Sequence, residues 1–263
     1  MYDVPSSITV EADGPLRIIR LNRPDELNAV NHDLHEGLAD LFPQITADRE
    51  ARAVVITGNG KAFSAGGDFN WVLTWPKLDA ITRRVGADAM MGAVQAVYDF
   101  PKPSIARVHA AAVGGGVGLM LACDFAVAAS SARFGLTSVR NGLLAGIAIP
   151  VLIEAVGPRL ARQLLMHGGL FDAETALRIG LVDQVVAAEA LDHTVATLAR
   201  ELTLGAPSVQ RLIKELVPEL DARRHDDEAA DLIGEHVAAQ CTTEEALEGM
   251  RAFLGKRKPG WAS

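Results

Sequence analysis

Apolar residues along the chain alternate between short dense runs and helical spacings. Ile8–Glu11 and Leu16–Leu21 read as two strands around a turn at Asp13-Gly14-Pro15, and Asn22-Arg23-Pro24 ends the second. Val30, Leu34, Leu38 and Leu41 recur at helical spacing, which predicts a helix over about residues 29–47. Ala53–Thr57 is a buried strand, and Ile81, Val85, Val94, Val97 and Tyr98 predict a helix that stops before Pro101. Ser104–Val108 and Phe125–Ala129 are further strands, with a buried helix from Val117 to Ala122 between them. Two helices at about 147–156 and 159–167 follow, then a short one capped by Asp172 and a last strand over Leu181–Val186. From Ala188 onward the pattern is helical, with predicted breaks at Gly205-Ala206-Pro207 and Pro218. Thr242-Thr243-Glu244-Glu245 has the form of a capping box at the start of the final helix. Residues 69–80, with Trp71, Trp75 and Pro76, show no clean period. The alternation predicts an α/β core with a helical C-terminal region.

Two stretches share one layout. Ala53–Asp68, AVVITGNGKAFSAGGD, is an apolar strand, a glycine turn and a second group of small residues. Ser104–Asp124, SIARVHAAAVGGGVGLMLACD, is a strand, small residues, the triplet Gly114-Gly115-Gly116 and a helix. A glycine turn at a helix N-terminus leaves N–H groups unpaired and approachable, which suits negative charge. The dinucleotide spacing fails, because G-x-G-x-x-G counted from Gly114 places Leu119 last, and no phosphate-loop motif occurs. Two parallel strands that end in two such loops can each aim one N–H at a single oxygen. Such a donor contributes about 3–4 kcal/mol in a transition state.

The 263 residues, 49% of them apolar, allow a sizeable core and argue against disorder. No apolar run reaches the ~18 residues of a membrane span, and no signal peptide is visible. Cys123 and Cys241 do not form a disulfide framework, which fits a reducing cytoplasm. A net charge of −8 without a basic stripe makes nucleic acid an unsuited partner. His32 and His35 lie three apart, but no ligand set converges, so no metal site is expected. Ser64 lacks the context of a nucleophile elbow.

Asn22–Ala29 (NRPDELNA), Gly60–Asp68 (GKAFSAGGD), the glycine triplet followed by Ala122-Cys123-Asp124, Phe134-Gly135-Leu136, Gly180–Asp183 and Lys256–Pro259 occur in order over nearly the whole chain. As a set they resemble the enoyl-CoA hydratase/isomerase (crotonase) superfamily. The resemblance implies a spiral core of ββα repeats over residues 1–200 with an acyl-CoA site. It also implies a helical oligomerisation region over 201–263 and assembly as a homotrimer or a dimer of trimers. Coenzyme A enters as part of the substrate, with no separate cofactor. The implied oxyanion-hole N–H groups are those of Ala65 and Gly115. The implied CoA contacts are Asp25, Glu26 and Leu27 at the adenine end, Ser64 through Phe69 and Gly114-Gly115 along the pantetheine and thioester, and Lys256 at a phosphate.

This chain departs from the hydratase pattern at two positions. Hydratases carry one glutamate two residues past the triplet, here Gly118, and a second shortly after the Phe-Gly, here Ser138. A positioned acid or base gives ~10²–10⁴-fold in rate, and a serine hydroxyl is no base near neutral pH without a partner. Asp68 and His109 are the remaining candidates for proton transfer; Arg140 and Asn141 could hold a substrate carboxylate or carbonyl. The expected activity is therefore that of an enoyl-CoA hydratase-like enzyme working through an enolate. The alternatives are a malonyl-type decarboxylase, an isomerase or thioester hydrolase, and a non-catalytic acyl-CoA binder.

Overall fold

The computed structural model describes residues 2–223 and 227–262. The chain opens with a hairpin, β1 (Ile8–Asp13) and β2 (Leu16–Leu21), then α1 (His32–Ala47) capped by the Asn31 side chain on the Leu34 N–H. Three successive units follow, each with one longer strand, one three-residue strand and helix. They are β3 (Ala53–Gly58), β4 (Ala62–Ser64), α2 (Phe69–Val72) and α3 (Ala80–Tyr98); then β5 (Ser104–Val108), β6 (Ala111–Val113) and α4 (Gly115–Leu121); then β7 (Phe125–Ala129), β8 (Arg133–Gly135) and α5 (Ile149–His167). After them come β9 (Leu170–Asp172), α6 (Ala173–Arg178), β10 (Gln184–Val186), α7 (Leu191–Leu202), α8 (Pro207–Arg223), α9 (Asp227–Gln240) and α10 (Glu244–Leu254).

The longer strands form one sheet in the order β1-β2-β3-β5-β7-β10, parallel except for the β1–β2 hairpin. The short strands stack into a second sheet, β4-β6-β8-β9. Each unit thus passes from the first sheet to the second and back through helix, which is the ββα spiral the sequence resemblance implied.

One core fills the space between the large sheet, α1, α3, α4 and α5, with Phe42 edge-on to Phe100 at 5.1 Å. Fully burying each such side chain contributes about 1.5–3 kcal/mol. On the opposite face α7 packs Leu191, Val195 and Ala199 onto Val55, Ile105 and Val127. Strands covered on both faces are continuously apolar, which is why β3 is buried at every position.

Two details differ from the sequence reading, at Pro218 and at Glu245, and one break falls where it was expected. Pro218 does not end a helix: α8 runs through it, since a proline in a helix removes one hydrogen bond without requiring a break. The two helices expected at 147–156 and 159–167 are both present within α5, separated by a kink at Gly157, where φ is 75° and the backbone is not helical. At α10, Thr243 caps the Ala246 N–H, but Glu245 does not complete a capping box. Its carboxylate instead accepts from the Ser208 backbone and hydroxyl and ties α10 to α8. Among the described residues no helix is long and apolar enough to cross a membrane.

Candidate active site

The two glycine loops leave the C-terminal ends of β4 and β6 and meet backbone to backbone. Gly66 has φ 90°, and a Cβ there would lie 2.6 Å from the Val113 carbonyl and 3.2 Å from the Gly115 nitrogen. Glycine is required at 66 on both counts.

The first loop is pinned to the segment after β2. Pro24–Glu26 is a single 3₁₀ turn, after which Leu27 and Asn28 take left-handed conformations with φ 53° and 55°. The fully buried Asn28 side chain donates to the Asn59 and Ala62 carbonyls and accepts from the Arg23 N–H, which fixes this unusual turn. The turn aims the Leu27 carbonyl at the Ala65 N–H, and the two are bonded at 2.9 Å.

That bond changes the assignment of the hole. The Ala65 amide is committed to Leu27 and has no proton to offer a ligand. Two residues on, Val30 and Gly67 form a parallel bridge, in which Val30 N–H donates to Gly66 O at 2.7 Å and Asp68 N–H donates to Val30 O at 3.0 Å. In such a bridge the groups flanking Gly67 point to Val30, so Gly67's own N–H points the other way. There it meets α4: a Cβ on Gly115 would sit 3.8 Å from the Gly67 nitrogen. Gly115 is the first residue of α4, and its N–H is one of the helix's unpaired donors. Among the described residues neither the Gly67 nor the Gly115 amide has an acceptor. The donor pair that the geometry brings together is therefore Gly67 and Gly115, with Ala65 as its structural support.

The walls around this pair are apolar. Ile147 Cδ1 would lie 2.8 Å from a Cβ on Gly115, and the nearby Ala145, Ile147 and Ala148 are buried. Gly118 lies one turn further into α4, and a Cβ there would be 3.0 Å from Ala148 Cα and 3.2 Å from its Cβ. A side chain at 118 would therefore press on Ala148, which would have to give by a few tenths of an ångström to admit it. Ser138, half-buried in a 3₁₀ turn over Thr137–Asn141, brings its hydroxyl 3.4 Å from where a Cβ on Gly114 would be.

The other candidates are engaged elsewhere. Asp68 is buried; one carboxylate oxygen caps α2 at the Asn70 and Trp71 N–H groups, and the other pairs with Arg23 at 2.9 Å. His109 brings Nε2 to the Gly60 carbonyl at 3.1 Å, so Nε2 carries the proton and donates. Its Nδ1 is buried without a partner, and burial lowers the ring's pKa, so this is a neutral packing histidine. The Ser64 hydroxyl donates to the Asn28 carbonyl and accepts from the Gly66 N–H, which makes it a brace of the loop. Arg140 and Asn141 are exposed, with the Arg140 guanidinium turned to the His167 carbonyl.

Of the CoA contacts implied by resemblance, Leu27, Ser64–Phe69, Gly114 and Gly115 gather at the two loops, with Asp25 and Glu26 exposed on the adjoining 3₁₀ turn. Lys256 does not join them within the chain. The tail is held by Arg52, which precedes β3 and donates to the Trp261 carbonyl, whereas the loops follow the strands' opposite ends. Sequence reasoning also passed over Arg23, Val30, Ile147 and Ala148. Arg23 lies inside the Asn22–Ala29 motif and Val30 directly after it, but their roles depend on long-range contacts.

Glycine amides brought together beyond the ends of parallel strands, in two stacked sheets wound as ββα units, define a crotonase-type fold. The enoyl-CoA hydratase/isomerase family model matches residues 11–263, and the chain belongs to that family. It is 33% identical to the crotonyl-CoA hydratase of Syntrophomonas wolfei, over 98% of each chain. It is 33% identical to the carnitinyl-CoA dehydratase of Citrobacter koseri, over 94% of this chain and 95% of that one. An enoyl-CoA hydratase/isomerase structure from Marinobacter aquaeolei superposes with a TM-score of 0.92 at 30% identity, covering 98% of this chain and 99% of the other.

Proposed function

We propose that this protein acts on acyl-CoA thioesters by holding the thioester oxygen, as it gains enolate charge, between the Gly67 and Gly115 amides. The observation that carries this reading is the pair of glycine N–H groups, neither with an acceptor among the described residues, brought close together at the head of α4. Such donors are fixed before reaction and need no reorganisation, and each is worth about 3–4 kcal/mol against a developing oxyanion. The α4 N-terminus adds a partial positive charge in the same direction.

Water addition to a 2-enoyl thioester is the reaction for which several relatives are named. In this chain it requires a proton carrier other than carboxylates at 118 and 138. A second reading, decarboxylation of a malonyl-type thioester, is favoured by the tight Gly118–Ala148 contact. Loss of CO2 leaves the C–C electron pair on the thioester as an enolate, so that step needs an oxyanion hole and no base. Trimer assembly belongs to the same proposal; Ile213, Val217, Ile233, Val237 and Phe253 on α8–α10 leave apolar surface exposed for it.

The test is mass spectrometry of crotonyl-CoA and of methylmalonyl-CoA incubated with the protein. Gain of one water from the first supports hydration; loss of CO2 from the second supports decarboxylation. Binding of either ester without turnover points to a silent binder and sinks the enzymatic reading.

A further inference from the structure

We infer that the Arg23 guanidinium is a clamp that positions the Gly67 donor, acting through Asp68. This inference rests on the Gly67–Gly115 reading above.

Gly67 has no side chain with which to fix its own orientation, and its direction comes from the Val30 bridge and the backbone on either side of it. Arg23 spans that bridge. One terminal nitrogen, Nη1, donates to the Ala29 carbonyl beside Val30, and the other, Nη2, pairs with the Asp68 carboxylate beside Gly67 at 2.9 Å. Both side chains are mostly buried, at 16% exposure for Arg23 and 10% for Asp68. The Arg23 backbone is itself locked by Asn28 Oδ1 at 2.9 Å. The second Asp68 oxygen caps α2, so the carboxylate is fixed from two sides.

The arrangement suits arginine for a geometric reason. A guanidinium presents two N–H groups in a rigid plane, so one residue can hold both edges of a bridge at a set spacing; an ammonium is a single point charge. An oxyanion donor must hold its place closely, and a displacement of about 1 Å costs on the order of 10² in rate. Arg23 and Asp68 touch no reacting atom, so they are positioning residues.

The test uses two CoA esters that need no turnover. Butyryl-CoA reports ground-state binding. Acetoacetyl-CoA, a 3-ketoacyl thioester, reports the oxyanion, since a hole that favours enolate raises its near-ultraviolet enolate absorbance. The parent protein is expected to enrich the enolate. Arg23→Lys is expected to lower that enrichment about tenfold or more, with butyryl-CoA affinity within about threefold of the parent and cooperative thermal unfolding retained. In Asp68→Asn, which lies among the implied CoA contacts, only the enolate signal is read and is expected to fall likewise. Arg23→Lys keeps a cation and carries the comparison should Asp68→Asn not fold. An undiminished enolate signal in either folded variant overturns the clamp. Equal losses for both esters in Arg23→Lys also overturn it, since they show a collapsed pocket. If the parent itself enriches no enolate, the hole fails and the clamp falls with it.

Discussion

The Ala65 amide and the Leu27 carbonyl are bonded at 2.9 Å, and this single contact decides which nitrogen of the first loop is free to meet a ligand. With Ala65 committed, the free donor is Gly67, opposite Gly115. Removing the second donor is the direct check. Proline fits the first position of a helix and lacks an N–H, so Gly115→Pro deletes the donor where backbone geometry allows it. A Cβ at 115 would press on the flexible end of Ile147, which can yield. Gly115→Pro is expected to unfold near the parent temperature and to lose about 10²–10³ in turnover of whichever CoA ester the parent converts. Parent-like kcat in the variant would remove Gly115 from the mechanism.

Restoring a glutamate at position 118 is expected to fail. The Cβ would meet Ala148 backbone at 3.0 Å, and overpacking of this kind costs about 1–3 kcal/mol before the carboxylate is desolvated. Gly118→Glu is expected to shift the urea midpoint down without hydration of crotonyl-CoA. A stable variant that gains water addition would show that Ala148 moves aside.

Acid sensitivity has an identifiable source in His35. The ring is buried on α1 with both nitrogens unpartnered, tilted against Trp71 at 5.9 Å. Desolvation first, and then the charge of His32, lower its pKa from 6.5 to about 4. Between those values the unfolded chain binds the proton and the folded chain does not. The contribution is therefore full above pH 6.5, declines as pH falls toward 4, and changes no further below that. It amounts to about 3 kcal/mol. Urea titrations from pH 7 to pH 4 are expected to show this slope in the parent and its loss in His35→Phe; identical slopes would assign the effect elsewhere.

The two cysteines are expected to differ in reactivity. Cys123 turns its thiol to the Leu119 carbonyl, and burial followed by the neighbouring Asp124 charge pushes its pKa far up; Cys241 is exposed. The thiolate is the reactive form, so iodoacetamide at pH 8 should label Cys241 first and Cys123 only on unfolding. Peptide mapping showing both labelled at similar rates in the native protein would contradict the buried thiol.

Much of the large sheet was legible because its strands are covered on both faces. Leu16–Leu21, Ser104–Val108 and Phe125–Ala129 carry their apolar runs at the same bounds in sequence and structure. The second sheet was not legible as a sheet, since strands of three residues such as Ala62–Ser64 and Ala111–Val113 are too short to show a period. The glycine loops stood out by composition, yet the direction of one amide did not. It depends on a φ of 90° at Gly66 and on the partners Leu27 and Val30, more than thirty residues away in sequence. Asp68 read as a possible base because carboxylate identity is visible in a sequence, while its Arg23 partner and its capping bonds are not.

The contact of Gly66 with Val113 and Gly115 is made wholly by main chain, whereas Ser138, Ile147 and Ala148, which lie against Gly114, Gly115 and Gly118, come from a separate segment after β8. The anion cradle and the lining are therefore independent parts. Under the proposed function, substitution in the segment after β8 would redirect what happens to an acyl group while the cradle stays as it is. A chain of this design can change its chemistry and keep its grip.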